Sequence, residues 1–514
     1  FGSRCRYSGS RSCKSVATLA EPVPPRMNRL TRLFRSVSQE GGLLSQGVDE
    51  APASKALPPL PHVINELGFG PAQIRVFIVG ALWLADAAEL LVISAASEAV
   101  QTEFGLTPLQ RSSFITIVFC GVLLGNFFGG GFGDSYGRRL PVLTSFAGIF
   151  IFSIVSSFSW SYASLAILRF FVGVCIGMGQ PAETALIAEV TPTNCRVMAM
   201  SATSILFSIG EGLAACLVYA DDPTMYHLHW RTLIAASAAP ALVFGIATYF
   251  LVYESPFFLA VTGQKQEAIT ILETMRASNG LTPEDVSVDF EVPEVVVPSA
   301  AEQMKVVFSL RQLPITIIMC FSTFLLNVIL YSVLYAFSTI LPQAASATSG
   351  LSSPAGQQIV GAGWEAIGYM LGGIIGSFCP RRSAAQLYMA LSCLSLIGVV
   401  LAPTGSSMFT LSYYSIKVWP SVGFTVLYLF VAEVFPTKAR VCGVGVCFAM
   451  GRAGSMVGSP LFEFITQKTG NYRPYMCLVA SMLVFNMILL WLMPDAKTEI
   501  DEDDNGKTYY GAVH

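Results

Sequence analysis

Twelve long apolar stretches, joined mostly by very short polar links, constrain this chain more than anything else in it. They lie at roughly 74–96, 111–133, 140–160, 163–188, 198–220, 231–252, 313–341, 357–379, 384–402, 408–433, 442–465 and 474–493. A helix needs ~20 such residues to cross the hydrocarbon core of a bilayer. Lipid offers no partner to an open backbone group, so stretches of this kind cross as helices. The composition agrees: 53% of residues are hydrophobic, 12% are charged and the mean hydropathy is +0.59. That is outside the range of soluble domains. The expected fold is an all-α membrane protein of twelve transmembrane helices, numbered spans 1 to 12 below.

One link is long. Residues 253–312 divide the chain into two six-span bundles, 74–252 and 313–494. Within it, "GQKQEAITILETMRA" sets Ala268, Ile271, Leu272 and Met275 at helical spacing, and "EVPEVVVPSA" reads as a proline-interrupted linker. Residues 1–73 read as a disordered basic tail or targeting segment. Inside it Arg26, Arg29, Arg32 and Arg35 alternate with an apolar helical face, a pattern suited to a membrane surface or an organellar leader. Residues 495–514 read as an acidic tail. Lys and Arg favour cytoplasmic links. Eleven of them fall in the links on one face and four on the other, which predicts that both termini are cytoplasmic. Plasma membrane and organelle or vesicle membrane fit equally.

The halves carry a repeated motif. "AEVTPTNCR" at 188–196 and "AEVFPTKAR" at 432–440 align Glu189 with Glu433, Pro192 with Pro436 and Arg196 with Arg440 at one offset, 244. Spans 1 and 7 begin about the same distance apart. Paired halves around a midplane site are the architecture of secondary transporters.

Between spans 2 and 3 stands "GGFGDSYGRR", with Gly130, Asp134, Gly137, Arg138 and Arg139. Together with "RFFVGVCIGMG" in span 4, "ESPFFLAVTGQKQEA" after span 6 and "PDAKTEI" after span 12, it resembles the major facilitator superfamily. "ADAAELLVIS" and "FAMGRAGSMVGSPL" are most similar to its synaptic-vesicle-2-related and organic-ion branch, near the sugar porters. The resemblance covers roughly 74–500. It departs from the family pattern at Ser135, usually basic, at Phe257 in place of Arg, and at "CPRRS", which lacks the Asp of the first-half motif. The resemblance implies two pseudo-symmetric bundles that rock about a central cavity lined by spans 1, 4, 7 and 10. It also implies a cytoplasmic gate at the first motif, for which Asp134 is expected to pair with a neighbouring Arg and Glu189 with Arg196. The other reading is that Arg138 and Arg139 only set topology.

Ionisable groups inside spans are unfavourable by about 2.5–3.5 kcal/mol each on insertion scales. Asp86, Glu89, Arg169, Glu211, Glu365, Lys417 and Arg452 are nevertheless there. At 1.5 Å rise per residue, Glu89 and Arg169 sit at similar depth and can pair across the cavity. A carboxylate controlled by a nearby Arg and by hydration suits proton coupling. A static ion pair is the alternative, and Asp86, one turn deeper, is the rival carboxylate. Lys417 reads as a lone cation, placed to attract an anionic solute or to pair with Glu365. Glu211 and Arg452 read as a packing pair or inter-bundle contact, with Arg452 as a substrate-carboxylate anchor in the sharper version. Tyr331, Tyr335, Phe321, Trp364 and Trp419 are candidates for stacking on an organic solute.

The exclusions are also informative. The formal net charge of −3 and the lack of a basic stripe argue against a nucleic-acid partner. No GxxxxGK[ST] loop suggests hydrolysis-driven transport. No nucleophile and base arrangement suggests an enzyme, and no cofactor is expected. His227 and His229 are too isolated for a metal site, and twelve scattered cysteines show no zinc spacing. The chain reads as a monomeric secondary transporter of a small organic ion or polar solute, coupled to protons. A sugar-like facilitator, or a non-transporting vesicle-membrane receptor with the same fold, remains open.

Overall fold

The computed structural model describes residues 57–292, 300–344, 349–436 and 439–493. The basic segment at 26–37, the acidic tail and residues 293–299 of the linker lie outside the described residues. Eleven helices are long and apolar enough to cross a membrane. They are span 1 (Pro71–Ala95), span 2 (Pro108–Tyr136), span 3 (Arg139–Ser157), span 4 (Tyr162–Val190), span 5 (Thr193–Asp221), span 6 (Trp230–Leu251), span 7 (Leu313–Ala344), span 8 (Pro354–Phe378), span 9 (Arg381–Leu401), span 10 (Ser407–Val434) and span 12 (Arg473–Leu492). The position expected for span 11 holds Arg440–Thr469, a helix of 30 residues. Arg452, Glu463 and a run of Gly and Ser make it less apolar than the others. Among the described residues no strand forms beyond an isolated bridge between Pro59 and Glu291.

Local sequence fixes the helix starts. Thr107 accepts from the Gln110 amide ahead of Pro108, and Ser353 and Ser406 cap spans 8 and 10 in the same way. Gly470, left-handed, ends span 11. Prolines interrupt spans 4, 7, 10 and 11 at Pro181, Pro342, Pro420 and Pro460. A proline frees a carbonyl, which is tolerable in a span that faces other helices or a wet cavity.

Spans 2 and 4 approach most closely. A Cβ on Gly121, Gly125, Gly173 or Gly177 would collide with the facing backbone, so each contact requires glycine. The halves meet chiefly where span 2 packs on span 11 and span 5 on span 8.

Part of the expected tail is helical. Residues Leu60–Leu67 form a helix within the expected tail, burying Leu60, Val63, Ile64 and Leu67. It is tied down by Asn279, at the end of the link helix Lys265–Ser278. Asn279 donates to the Leu67 carbonyl at 3.1 Å and accepts from the Ala72 amide at 3.0 Å. In that link helix Ala268, Leu272 and Met275 are buried, as their spacing predicts, whereas Ile271 is only half-buried.

Spans alternate in direction. The 2–3, 4–5, 6–7, 8–9 and 10–11 links therefore share one face, called the basic face here, and the other links share the far face.

Candidate functional site

Midway along spans 1, 5, 7, 8 and 10 the halves frame a narrow cavity, which in this closed arrangement has room for about one water molecule. Glu211, Glu365 and Lys417 line it together with the rings of Trp83, Phe207, Tyr331, Tyr369 and Phe424. Of the two sequence readings of Lys417, a lone cation or a partner of Glu365, the structure has the second and adds Glu211. Lys417 Nζ donates to Glu211 Oε2 at 2.6 Å and to Glu365 Oε2 at 2.8 Å. All three side chains are buried. Glu211 comes from the first half, whereas Glu365 and Lys417 come from the second. The bond to Glu211 thus crosses the cavity between the bundles.

A polar ladder joins spans 1 and 4. Arg169 Nη1 lies 2.6 Å from Glu89 Oε2, and Ser237 donates to Glu89 Oε1 at 2.9 Å. One turn deeper Gln180 donates to Asp86 at 3.2 Å. A further turn on, the Trp83 indole donates to Glu183 at 3.2 Å. Arg452 reaches across from span 11 to Gln180 Oε1 at 2.7 Å, so it engages the ladder and not Glu211. The expected Glu211–Arg452 pair is replaced by two separate inter-bundle contacts. The reason is rotation: each helix turns its cation toward the nearest acidic wall of the first half.

Glu183 is absent from the sequence reading. It is 1% exposed, and its described partners, Trp83 and Thr184, are neutral. Its signal lay in sequence, a Glu seven residues from the end of an apolar span, in the stretch between the two motifs noted there. With Glu183 counted, the cavity and the ladder beside it hold, among the described residues, five buried carboxylates, Asp86, Glu89, Glu183, Glu211 and Glu365, against three cations, Arg169, Lys417 and Arg452.

On the basic face, Arg138 pairs with Asp134 at 2.6 Å and with Glu189 at 3.3 Å. Burial works against its charge, but Glu189 and Asp134 outweigh that and hold the guanidinium above its ordinary pKa. Glu189 is therefore taken by Arg138 and Ser255. Arg196 instead donates to its own turn, at the Thr191 carbonyl, 3.2 Å away. The expected Glu189–Arg196 pair is thus corrected: Arg196 closes the helix start, and its repeat partner Arg440 does the same at the Phe435 carbonyl, 3.4 Å away. Gly137 has φ +94° and a Cβ there would run into the Glu254 carboxylate, so a side chain would be both strained and blocked. Gly130 shows no such need, having open space where a Cβ would go. Glu254, in the "ESPFF" stretch, accepts the Arg138 amide at 2.8 Å and the Arg139 amide at 3.2 Å. Arg139 binds the Tyr249 carbonyl.

The second half repeats this plan without the Asp. Arg381 holds Glu433 through two bonds, 2.9 and 2.8 Å, and Arg382 binds the Trp491 carbonyl. These basic-face pairs each lie within one half.

At the far face the halves are joined directly. Arg111 of span 2 forms a buried ion pair with Glu463 of span 11, and Tyr335 bridges both, 3.0 Å from Arg111 and 2.6 Å from Glu463. Tyr226 donates to the Pro342 carbonyl at 3.0 Å, and the Ala355 amide to the Pro223 carbonyl at 3.2 Å. The far face is closed. The sequence marked Arg111 only as a link charge and passed over Glu463. Of the aromatics it named, Tyr331 lines the cavity, Tyr335 serves the Arg111 pair, and Trp364 is turned outward, 42% exposed. Phe321 packs on Phe485, and Trp419 donates to Ser415. Among the described residues no group of His, Cys, Asp and Glu could hold a metal ion.

Comparison with known proteins places this architecture. The chain is similar to the synaptic vesicle 2-related protein of Bos taurus, 25% identical over 416 residues, covering 77% of this chain and 73% of the relative. It is similar to organic cation/carnitine transporter 7 of Arabidopsis thaliana, 25% identical over 431 residues, covering 76% and 85%. In fold it resembles the inward-open xylose transporter XylE of E. coli, with TM-score 0.65 and 17% identity over 83% of this chain and 96% of that one. The family described as "Sugar (and other) transporter" matches residues 78–501, through both bundles and the link between them. The chain is a multi-pass membrane transporter of the major facilitator superfamily, and it belongs to the sugar (and other) transporter family.

Proposed function

We propose that the chain is a secondary active transporter that carries a small organic ion or polar organic solute and couples its movement to protons. The carrying observation is the midplane cavity shared by both bundles, walled by more buried carboxylates than cations. An unpaired charge in a low-dielectric site is costly. The surplus carboxylates are best accommodated if protons or a cationic solute occupy the site during part of the cycle. In this reading the bundles rock about the cavity, and the far-face contacts break as the basic-face networks rearrange. Glu89, held by Arg169, is the first candidate for the coupling proton, with Asp86 as its rival. The organic cation/carnitine relative is named for a solute class that fits such a wall.

The family description favours a second reading, a facilitator for a sugar-like solute. Uptake into proteoliposomes separates the two. Proton-coupled transport predicts accumulation driven by an inward proton gradient and lost in Glu89→Gln or Asp86→Asn. Equal uptake with and without the gradient, unchanged in both variants, refutes coupling. No uptake of any solute in a broad panel refutes transport.

A further inference from the structure

The Lys417 cluster has the chemistry of an occupied seat. Two carboxylates from opposite bundles converge on one ammonium within 2.8 Å, and the three groups carry a formal charge of −1 together. The cavity that the cluster borders is also lined by Trp83, Phe207, Tyr331, Tyr369 and Phe424. Aromatic faces attract cations by their quadrupole, more strongly where water is sparse. On the far-face side of Lys417 lies a second, smaller gap with room for about one water molecule, bordered by Leu91, Glu211, Leu334, Phe337, Gln358 and Tyr413. A flexible four-carbon stem can shift its ammonium toward that gap once the bundles move apart.

We propose that Glu211 and Glu365 form the seat for the ammonium group of the transported solute, and that Lys417 holds that seat as a tethered surrogate until the solute displaces it. The proposal deepens the transport reading and rests on the cavity being the transport site. It assigns the solute class: an organic cation with an alkylammonium head and an apolar body that lies against the rings. An anionic solute is disfavoured, because it would approach the Lys417 ammonium only against two carboxylates already in contact with it. Displacement also supplies a coupling device. The Lys417–Glu211 bond ties the bundles, and a solute cation seated between Glu211 and Glu365 replaces that tie with one that is lost when the solute leaves.

The test is chemical rescue in the purified full chain. In Lys417→Ala the seat is left empty, and n-butylammonium is expected to raise the thermal midpoint, whereas n-butanol and butyrate do not. The unsubstituted chain is expected to bind n-butylammonium at least about tenfold more weakly, because its own lysine competes. Glu211→Gln in the Lys417→Ala background retains the cluster's formal charge of −1 and serves if the single variant does not fold. It is expected to be stabilised by n-butylammonium at the remaining Glu365 and by neither n-butanol nor butyrate. Stabilisation by butyrate, or no greater effect of n-butylammonium than of n-butanol in either variant, overturns the assignment. The transport reading fails separately. A chain that binds n-butylammonium as described but moves no solute in proteoliposomes supports the seat and loses the transport reading. A chain that moves neutral or anionic solutes and ignores n-butylammonium keeps transport and loses the seat.

Discussion

Glu463→Gln is the most direct way to ask what keeps the far face shut. The pair with Arg111 is buried on both sides, with side-chain exposures of 9% and 4%, and it joins spans of opposite bundles. The amide keeps the shape and one acceptor for Tyr335, but it leaves the Arg111 guanidinium uncompensated. Removing one partner of a buried ion pair costs ~3–5 kcal/mol. That cost falls on the closed state, because water reaches both groups once the bundles part at this end. At 1.4 kcal/mol per decade even the lower bound shifts the closed-to-open ratio by about a hundredfold. The assay is a distance distribution between spin labels carried by non-canonical amino acids at Leu109 and Lys468, both exposed at the far ends of spans 2 and 11. The expected result is a longer-distance population that dominates in Glu463→Gln and is minor in the unsubstituted chain, with Arg111→Met giving the same shift. An unchanged distribution in a folded variant would refute the reasoning, since the pair would then contribute equally to both states.

Other consequences of the geometry can be checked with simpler measurements. Arg138→Ala removes contacts to Asp134 and Glu189 and a ring contact with Phe258. It should slow transport about tenfold or more and lower the thermal midpoint, and unchanged initial rates would count against a gate there. Gly177→Val should be among the least stable single variants, costing ~1–3 kcal/mol or more by overpacking against the Val122 carbonyl. A normal melting curve would contradict the close approach of spans 2 and 4. Asp222 caps the far-face turn. Burial pushes its carboxyl up, but bonds from Thr224 and from the His227, Thr224 and Tyr226 amides outweigh this and hold it below its ordinary 3.8. A depressed folded pKa means that its contribution is present above about pH 4 and fades as pH falls through the lower folded value. The gap in thermal midpoint between the unsubstituted chain and Asp222→Asn should therefore be constant above about pH 5 and shrink below about pH 4. A gap that widens in acid would reverse the sign and sink the argument.

Much of this protein is written in its linear pattern. Runs of apolar residues with few charges can only be satisfied as helices in lipid, so the spans, their short links and the six-and-six division follow from hydropathy alone. The shared depth of Glu89 and Arg169 also follows, because rise per residue is fixed. Rotation about each helix axis does not follow. A helix that is apolar nearly all round gives no periodic signal for which face meets which neighbour. For that reason Lys417 could be placed in the cavity and Glu365, 52 residues away, offered as a partner, but Glu211, 206 residues away in the other half, could not. The same limit hid Glu463 from Arg111 and Trp83 from Glu183. The repeat motif misled for a related reason: Glu189 and Arg196 are near neighbours in sequence, yet a helix start turns the arginine back on its own carbonyl while Glu189 faces Arg138. Sequence determined that this chain must cross a membrane many times and carry charge there. Only the packing of the two bundles decided which charges meet, since that depends on contacts between distant helices and not on order along any one of them.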